Sequence, residues 1–188
     1  MSVLARKVNK WWIIGGVVLF LLILVRKLGF LLFKLKTQGM QPITLFNGKQ
    51  TLRECDTGGC GHFGATRNRS SGVGTHKGQD ILCTPGALVT APFAGKIIRL
   101  SVPYEDDSRF SGVVLEVNPA LLVKIMYMQP KSGIVGKMVE PGEALGTCQN
   151  ISLKYGAAVP AHLHVEVHEN QLGVWVKVDP APYLKTES

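Results

Sequence analysis

The chain has 188 residues, of which 46% are hydrophobic and 18% are charged, and its formal net charge is +8. This length has room for one domain plus an extra segment, and the hydrophobic fraction is large enough for a packed core. Seven of the 21 Lys and Arg lie within residues 1–36, which have no Asp or Glu, leaving 14 Lys and Arg against 13 Asp and Glu in the rest. Because the remainder is nearly neutral, the charge pattern argues against nucleic-acid binding.

The N-terminus has the pattern of a membrane or targeting segment. Residues 1–10 form a basic flank, and the run from Trp11 to Val25 has no charged or polar side chain. A helical span needs about 20 residues, so this run is short for an anchor and close to the upper limit for the apolar region of a signal peptide. Long Arg and Lys side chains reach the membrane interface, so an anchor through residues 11–33 is still open.

We predict an uncleaved signal anchor over residues 11–36, because no small-residue cleavage site follows Val25 closely. A cleaved signal peptide is the alternative, and a buried helical hairpin is a third interpretation that the interleaved charges oppose. Basic residues on both sides leave the orientation open. We therefore expect a membrane-anchored protein whose folded domain is extracellular or lumenal, or else a secreted protein.

The rest of the chain predicts an all-β domain. A linker and first strand occupy residues 37–53, the domain occupies 54–184, and 185–188 form a tail. Short runs rich in Val, Ile and Leu alternate with Gly and Pro, and no amphipathic helix is apparent after residue 40. We predict antiparallel sheets packed as a sandwich or partly open barrel, preceded by the N-terminal hydrophobic helix. The predicted strands are Ile43–Phe46, Asp80–Leu82, Leu88–Ala91, Lys96–Val102, Gly112–Val117, Leu121–Met128, Ala144–Thr147, His162–His168 and Val174–Val178.

Three further features are predicted from composition. Asn68 and Asn150 each begin an N-glycosylation sequon, which would be used on a eukaryotic secretory route. The four cysteines are even in number, as expected for disulfides in an oxidising compartment. The polar stretch from Gly58 to Thr75 is predicted to be a long surface loop.

Two short stretches carry the residue types of a metal site. The first, from Thr75 to Asp80, has a His and an Asp four residues apart. The second is a predicted strand in which His162 and His164 point the same way, because side chains at i and i+2 of a strand share a face. Two imidazoles and a carboxylate with an open fourth position are what a catalytic zinc needs, so we predict one zinc ion per chain. The alternative is a set of scattered surface histidines.

Seven stretches between about residue 54 and residue 184 resemble one family, all in the same order. They are Cys55–Gly61, His76–Cys83, Gly86–Ile97, Val123–Tyr127, Gly142–Thr147, His162–Glu166 and Asp179–Leu184. The chain resembles the lysostaphin-type zinc endopeptidases, which cut glycine-rich or peptidoglycan cross-links, and it is more similar still to their vertebrate chemotaxin branch. The resemblance implies a lysostaphin-like, metallopeptidase-like β fold.

The resemblance also implies roles for single residues. It assigns the zinc ligands to His76, Asp80 and His164. His162 takes the place of a catalytic His that handles the water or stabilises the oxyanion. Glu166 is either an acceptor that orients a ligand imidazole or a plain surface residue.

One catalytic position departs from the peptidase pattern. The peptidases have a further catalytic His where this chain, like the chemotaxin branch, has Tyr127. Tyr has a reference pKa of about 10 and is a poor base near neutrality, and a general acid–base group is worth about 10²- to 10⁴-fold in rate.

We therefore predict a zinc-binding, chemotaxin-like domain without efficient peptidase activity, which binds a protein or glycan partner at the cell surface. The alternative is an active zinc endopeptidase that cleaves glycine-rich peptides or peptidoglycan cross-links. A lipoyl-like carrier is a third interpretation, suggested by residues 139–146, but no lysine occupies a suitable turn.

The resemblance bears on the cysteines as well. The counterparts of Cys55 and Cys60 pair in the chemotaxin branch, which implies the same disulfide here. Cys83 matches a family cysteine whose partner lies upstream, where this chain has none, and Cys148 has no counterpart. Cys83–Cys148 is then the remaining pairing, with two free thiols as the alternative. A zinc site on Cys55 and Cys60 lacks a second ligand pair at finger spacing.

Overall fold

A computed structural model describes residues 16, 18–21, 23–25, 27, 45, 50–69 and 72–183. The chain divides into two units, residues 1–41 and 42–188. In the first unit the described residues are helical. Among the described residues, no helix combines the length and apolar character needed to cross a membrane. Most of the predicted anchor, and the predicted strand Ile43–Phe46 apart from Leu45, lie outside the described residues.

The second unit is built from short strands, which confirms the all-β prediction. Two short helical elements were not expected from the sequence: α1 at Ser152–Tyr155 and a 3₁₀ turn at Ala181–Tyr183. The strands are β1 (Cys55–Asp56), β2 (Gly59–Cys60), β3 (Thr66–Arg69), β4 (Gly72–Thr75), β5 (Gln79–Leu82), β6 (Leu88–Thr90), β7 (Gly95–Ser101), β8 (Gly112–Asn118), β9 (Leu121–Met126), β10 (Met128–Pro130), β11 (Met138–Val139), β12 (Ala144–Cys148), β13 (His162–Gln171) and β14 (Val174–Val178).

The strands pair antiparallel in one large sheet and three small ones. The large sheet has the order β11-β7-β8-β9-β13-β14, and β5 also pairs with β13. A three-stranded sheet has the order β10-β12-β6, and β1–β2 and β3–β4 are separate hairpins. The described strands form no closed barrel. The long strand β13 contacts β5 along its first half and β14 along its second half, so His162 and His164 lie near the middle of the large sheet.

Alternation along β9 and β13 decides which side chains enter the core. Val123, Ile125, Leu163, Val165 and Val167 are fully buried on one face. Burying such a side chain is worth about 1.5 to 3 kcal/mol. The intervening residues of both strands face the other side of the large sheet, because strand side chains alternate. That second face holds the candidate site.

The predicted strand Leu121–Met128 is interrupted at Tyr127. This residue has φ 65°, a left-handed conformation that L side chains adopt at a cost of about 1 kcal/mol. The turn moves the chain from β9 of the large sheet to β10 of the three-stranded sheet, where the Met128 amide donates to the Ser111 carbonyl. The backbone of Tyr127 thus joins the two sheets.

The predicted surface loop from Gly58 to Thr75 is partly ordered as strands. It contains β2 and the hairpin of β3 and β4, in which Thr66 pairs with Thr75. These strands are short and rich in Gly or polar residues, and the β3–β4 hairpin is largely exposed. Backbone hydrogen bonds rather than apolar alternation define them, so the sequence pattern did not indicate them.

The four cysteines form two disulfides. Cys55–Cys60 closes the β1–β2 hairpin, in which the two residues face each other. Cys83–Cys148 joins the residue after β5 to the end of β12 and so links the large sheet to the three-stranded one. The alternatives of free thiols and of a zinc site on Cys55 and Cys60 therefore have no place in the structure.

Candidate metal centre

The first motif and β13 bring three potential ligands together. His76 precedes β5, Asp80 lies on β5, and His164 lies opposite Asp80 on β13. His164 Nδ1 is 2.8 Å from Asp80 Oδ1 and 2.9 Å from His76 Nε2. Asp80 Oδ1 and His76 Nε2 are 3.2 Å apart. All three residues are buried: His76 is 5% exposed, Asp80 2% and His164 8%. Tetrahedral zinc with bonds of 2.0–2.1 Å separates its ligands by about 3.3 Å, so this donor set fits zinc after a small expansion.

The outer nitrogen of each ligand imidazole is also engaged. His76 Nδ1 lies 2.9 Å from the carbonyl oxygen of His62. A carbonyl only accepts, so Nδ1 carries the proton and Nε2 keeps its lone pair for a metal. His164 Nε2 lies 3.5 Å from Glu166 Oε1. Metal-bound histidines usually donate their second N–H to a carbonyl or carboxylate, and both rings follow this pattern.

Glu166 is buried, at 4% exposed, rather than a plain surface residue. Its carboxylate accepts from Lys177 Nζ and lies against His168 Nε2, each at 2.8 Å. Burial raises the pKa of Glu166, but the bonds to His164, His168 and Lys177 outweigh it and hold the pKa well below its usual value. His168 therefore contacts Glu166 rather than the three ligand atoms, and it does not belong to the ligand set.

Arg53, which the sequence analysis did not single out, holds the Asp80 carboxylate. Its Nη1 donates to Asp80 Oδ2 at 2.8 Å, and its Nε donates to Asp56 Oδ2 at 2.7 Å. Burial raises the pKa of Asp80, but hydrogen bonds from His164 and His76 and the charge of His164 outweigh it, and the pKa is well below its ordinary value. Oδ2 is thereby occupied by the guanidinium and Oδ1 is left for a metal.

Burial lowers the pKa of His164, while Asp80 and Glu166 raise it more, so the metal-free ring tends to keep a second proton. A metal ligand must be a neutral imidazole, so metal binding releases that proton and weakens as the pH falls.

Gly78 allows the two motifs to approach each other. A Cβ at this position would lie 2.5 Å from the Val165 carbonyl oxygen and 2.6 Å from His164 Nε2. Both distances are shorter than any Cβ contact that real structures tolerate. The glycine between His76 and Asp80 is therefore required by close contact with β13.

Gly78→Ala is expected to weaken zinc binding at least about tenfold and to destabilise the domain by about 1 to 3 kcal/mol, the usual cost of overpacking. Zinc titration and urea unfolding measure the two effects. Gly74→Ala is the matched control, because a Cβ there meets no atom within 4 Å and the residue has no positive φ. Equal behaviour of the two variants would contradict the role of Gly78.

His162 lies beside the three ligands without joining them. Its Nδ1 is 2.7 Å from the Pro160 carbonyl oxygen, so Nδ1 carries the proton. Its Nε2 lies 3.8 Å from Asp80 Oδ2. Burial lowers the pKa of His162 and keeps the ring neutral near pH 7. The geometry thus presents an unprotonated imidazole nitrogen next to the candidate metal centre.

Tyr127 belongs to a cluster of three tyrosines. Its ring meets the His162 ring edge-on with centroids 5.4 Å apart. The Tyr104 hydroxyl donates to the Tyr127 hydroxyl at 2.9 Å and lies 2.8 Å from the Tyr155 hydroxyl. Burial raises the pKa of Tyr127 above its ordinary value. Tyr127 is therefore a hydrogen-bond donor near the centre and not a base.

The centre opens into a groove of about 550 Å³. The three tyrosines line the groove, and the segment from Gly58 to Thr75 contributes Gly58, Arg67 and Asn68 to its lining. The sequon residue Asn68 is exposed at this groove, while Asn150 follows β12 and accepts from the Ser152 amide. The sequence offered no signal for Tyr104 or Tyr155, which lie in the loop after β7 and in α1.

The fold and the site together define a class. A β-domain that presents a buried His, Asp, His set and a further imidazole to an open groove is metallopeptidase-like. The family model described as Peptidase family M23 matches residues 74–179. The chain therefore belongs to Peptidase family M23, as the sequence motifs predicted.

Individual proteins are similar to this chain in sequence or in fold. Leukocyte cell-derived chemotaxin-2 of Mus musculus is 32% identical over 133 residues, which are 71% of this chain and 79% of that protein. The catalytic domain of the antimicrobial peptidase lysostaphin from Staphylococcus simulans has a similar fold, with a TM-score of 0.50 and 22% identity over 68% of this chain and 91% of that one. A zinc containing peptidase from Vibrio cholerae has a TM-score of 0.51 and 20% identity over 79% of this chain and 41% of that one.

Proposed function

We propose that this chain is a zinc-binding, chemotaxin-like domain that binds a protein or glycan partner and does not hydrolyse peptides efficiently. The family and the similarity to chemotaxin-2 support the proposal. The observation that carries it is Tyr127, whose hydroxyl already accepts from Tyr104 and whose pKa is raised by burial. It occupies the position at which the peptidases have a catalytic His.

Zinc would be held by His76, Asp80 and His164. When bound, zinc supplies a Lewis acid and lowers the pKa of a bound water to about 7. The neutral His162 nitrogen near the ligands can take up one proton. Turnover is assisted by a second group that donates a proton to the leaving amine, and Tyr127 is a poor proton donor near neutral pH because burial raises its pKa. Substrate binding and one proton acceptor are thus retained, and efficient turnover is not supported.

The proposal is tested by incubating the purified chain, loaded with one equivalent of zinc, with an oligoglycine peptide. We expect bound zinc by metal analysis and no turnover above the chelated sample. Turnover that a chelator abolishes would contradict the proposal. It would favour the second candidate, an active endopeptidase for glycine-rich peptides or peptidoglycan cross-links, for which the retained His162 is the supporting observation.

Tyr127→His is expected to raise hydrolysis of oligoglycine at least about tenfold over the unchanged chain. A second acid–base group is worth about 10²- to 10⁴-fold, of which an unoptimised imidazole recovers part. His tolerates a positive φ better than most residues, so the turn at this position is retained. Rates of peptide cleavage at equal zinc content measure the effect.

Tyr155→His is the matched control for this substitution. Tyr155 belongs to the same cluster but is 50% exposed at its outer end. The Tyr155→His variant is expected to leave the rate of oligoglycine hydrolysis unchanged. An equal gain in both variants would show that an added imidazole anywhere in the groove is sufficient, and would contradict the assigned role of position 127.

We also infer that the domain works outside the cytosol. The two disulfides support this inference, since such bonds persist in oxidising compartments. Use of the sequons at Asn68 and Asn150 and a membrane anchor through residues 11–33 stay predictions. The partner at the cell surface is part of the same proposal.

A further inference from the structure

Cationic side chains outnumber carboxylates along the groove. Its lining has five cations, Arg53, Arg67, Lys77, Lys124 and Lys177. It has two carboxylates, Asp80 and Glu166. A metal ion at the candidate centre adds further positive charge. The groove is therefore electropositive although the second unit as a whole is nearly neutral.

Two of these cations belong to the metal site itself. Arg53 and Arg67 lie 2.8 and 3.6 Å from Asp80 Oδ2 and are directed at that carboxylate. Lys124 and Lys177 instead share the single carboxylate of Glu166, at 3.9 and 2.8 Å. Two ammonium groups against one carboxylate leave one positive charge without compensation.

The Glu166 carboxylate is divided among further partners. It also lies against His168 and within 3.5 Å of His164. Burial lowers the pKa of Lys124, and Lys177 and Arg99 lower it further, while Glu166 raises it. In the described part of the chain, Lys77, which lines the groove next to the ligand His76, has no ion-pair partner. The groove lining thus repels cations and attracts anions both beside Glu166 and beside His76.

The spacing of these groups matches an extended peptide. Lys124 on β9 and Lys177 on β14 flank Glu166 on β13, which is two residues beyond the ligand His164. Two residues of a strand cover about 6.6 Å, and an extended ligand has the same rise per residue. A peptide with one residue at the metal centre therefore places a nearby side chain at the lysine pair.

The volume of the groove favours a short acidic peptide over a sulfated polysaccharide as the anionic ligand. A volume of about 550 Å³ lies within the usual range of about 300–1,000 Å³ for small-ligand sites. It accommodates a short peptide segment better than several units of a sulfated polysaccharide. The tyrosine cluster adds hydroxyl groups that can pair with peptide amides and carbonyls.

We propose that the groove recognises an acidic peptide segment, whose carboxylates bind at Lys124 and Lys177 while its backbone passes the metal centre. This inference names the partner class of the site described under Proposed function and rests on that function. An Asp or Glu side chain would form charge-assisted hydrogen bonds with the two ammonium groups. The interaction is expected to weaken as the salt concentration rises.

The test uses three fluorescent pentapeptides, Gly-Glu-Gly-Glu-Gly and its Gln and Lys counterparts, with the full zinc-loaded chain. Fluorescence anisotropy is expected to show the Glu peptide binding at least about tenfold more tightly than the Gln peptide, with little binding of the Lys peptide. The K124Q/K177Q double variant should lose this preference, and K124R/K177R should retain it. K131Q/K137Q is the control with the same charge change at exposed lysines outside the groove.

Equal affinities for the Glu and Gln peptides would overturn the inference, and so would binding of a heparin-derived oligosaccharide with no binding of any peptide. Zinc content and cleavage are measured on the same samples. Tight binding of the Glu peptide followed by its cleavage would support the charge preference and contradict the proposed lack of activity. If the Glu peptide bound equally tightly to a zinc-treated sample in which metal analysis finds no zinc, only the proposed zinc site would be contradicted.

Discussion

Arg53→Met is expected to lower the free energy of unfolding of the metal-free domain by about 3 to 5 kcal/mol. Arg53 and Asp80 form a buried ion pair in which both side chains are less than 5% exposed. Removing one partner of a buried ion pair usually costs this much. Arg53→Met takes the guanidinium from both Asp80 and Asp56, and leaves Asp80 with His164 and Arg67. Met keeps most of the side-chain volume, so the loss measures charge and hydrogen bonding rather than a cavity. Urea unfolding of chelator-treated protein provides the measurement.

The matched control for this substitution is Arg109→Met. Arg109 also pairs with an Asp, but its side chain is 66% exposed. Ion pairs at the surface are screened by water and contribute little. We therefore expect a much smaller change at Arg109. A similarly small change at Arg53 would show that water or relaxation compensates Asp80, and the role assigned to Arg53 would be wrong.

His164→Gln is expected to reduce zinc affinity by more than about 100-fold. Changing a group that only orients a metal ligand typically costs about 10- to 100-fold, so removal of a ligand should cost more. A ligand at 100 times its Kd stabilises a protein by about 2.7 kcal/mol. Saturating zinc should accordingly raise the thermal midpoint of the unchanged chain and leave that of the variant unchanged. Metal analysis after gel filtration gives the zinc content directly.

His168→Gln separates loss of a ligand from loss of any imidazole on β13. His168 lies four residues further along the strand and contacts Glu166, not the three ligand atoms. The His168→Gln variant is expected to retain zinc with at most a modest loss of affinity. If His168→Gln lost its zinc and His164→Gln kept it, the ligand set would be wrong.

The strand pattern and the residues of the site were largely predictable from the sequence, for a local reason. Alternation along residues 162–168 placed His162 and His164 on one face, and antiparallel pairing with β5 brought Asp80 opposite His164. The spacing of two predicted that shared face, whereas the set of His76, Asp80 and His164 as ligands was implied by the resemblance to the endopeptidase family. The same alternation correctly assigned Leu163 and Val165 to the core.

The missing parts depend on contacts distant in sequence or on backbone conformation. Arg53 reaches Asp80 only because its amide donates to the Asp80 carbonyl, and a lone Arg in a linker gives no hint of this pairing. Tyr104 and Tyr155 meet Tyr127 from different loops. The strand break at Tyr127 was invisible because apolar alternation continues through the turn.

The Cys83–Cys148 disulfide shortens the covalent path between two of the candidate metal ligands, Asp80 and His164. Asp80 and His164 are 84 residues apart along the chain. With the disulfide formed, the path runs from Asp80 to Cys83, across the bridge, and from Cys148 to His164, or about 20 residues. Because closure entropy grows as the logarithm of loop length, this nesting lowers the cost of joining the ligands by about 1 kcal/mol. Because β5–β13 pairing already holds Asp80 opposite His164 in the folded domain, this saving belongs to folding. Oxidation of two cysteines that never touch the metal is therefore expected to favour the folded state in which the ligands meet, and so to link metal binding to the redox state of the compartment through folding.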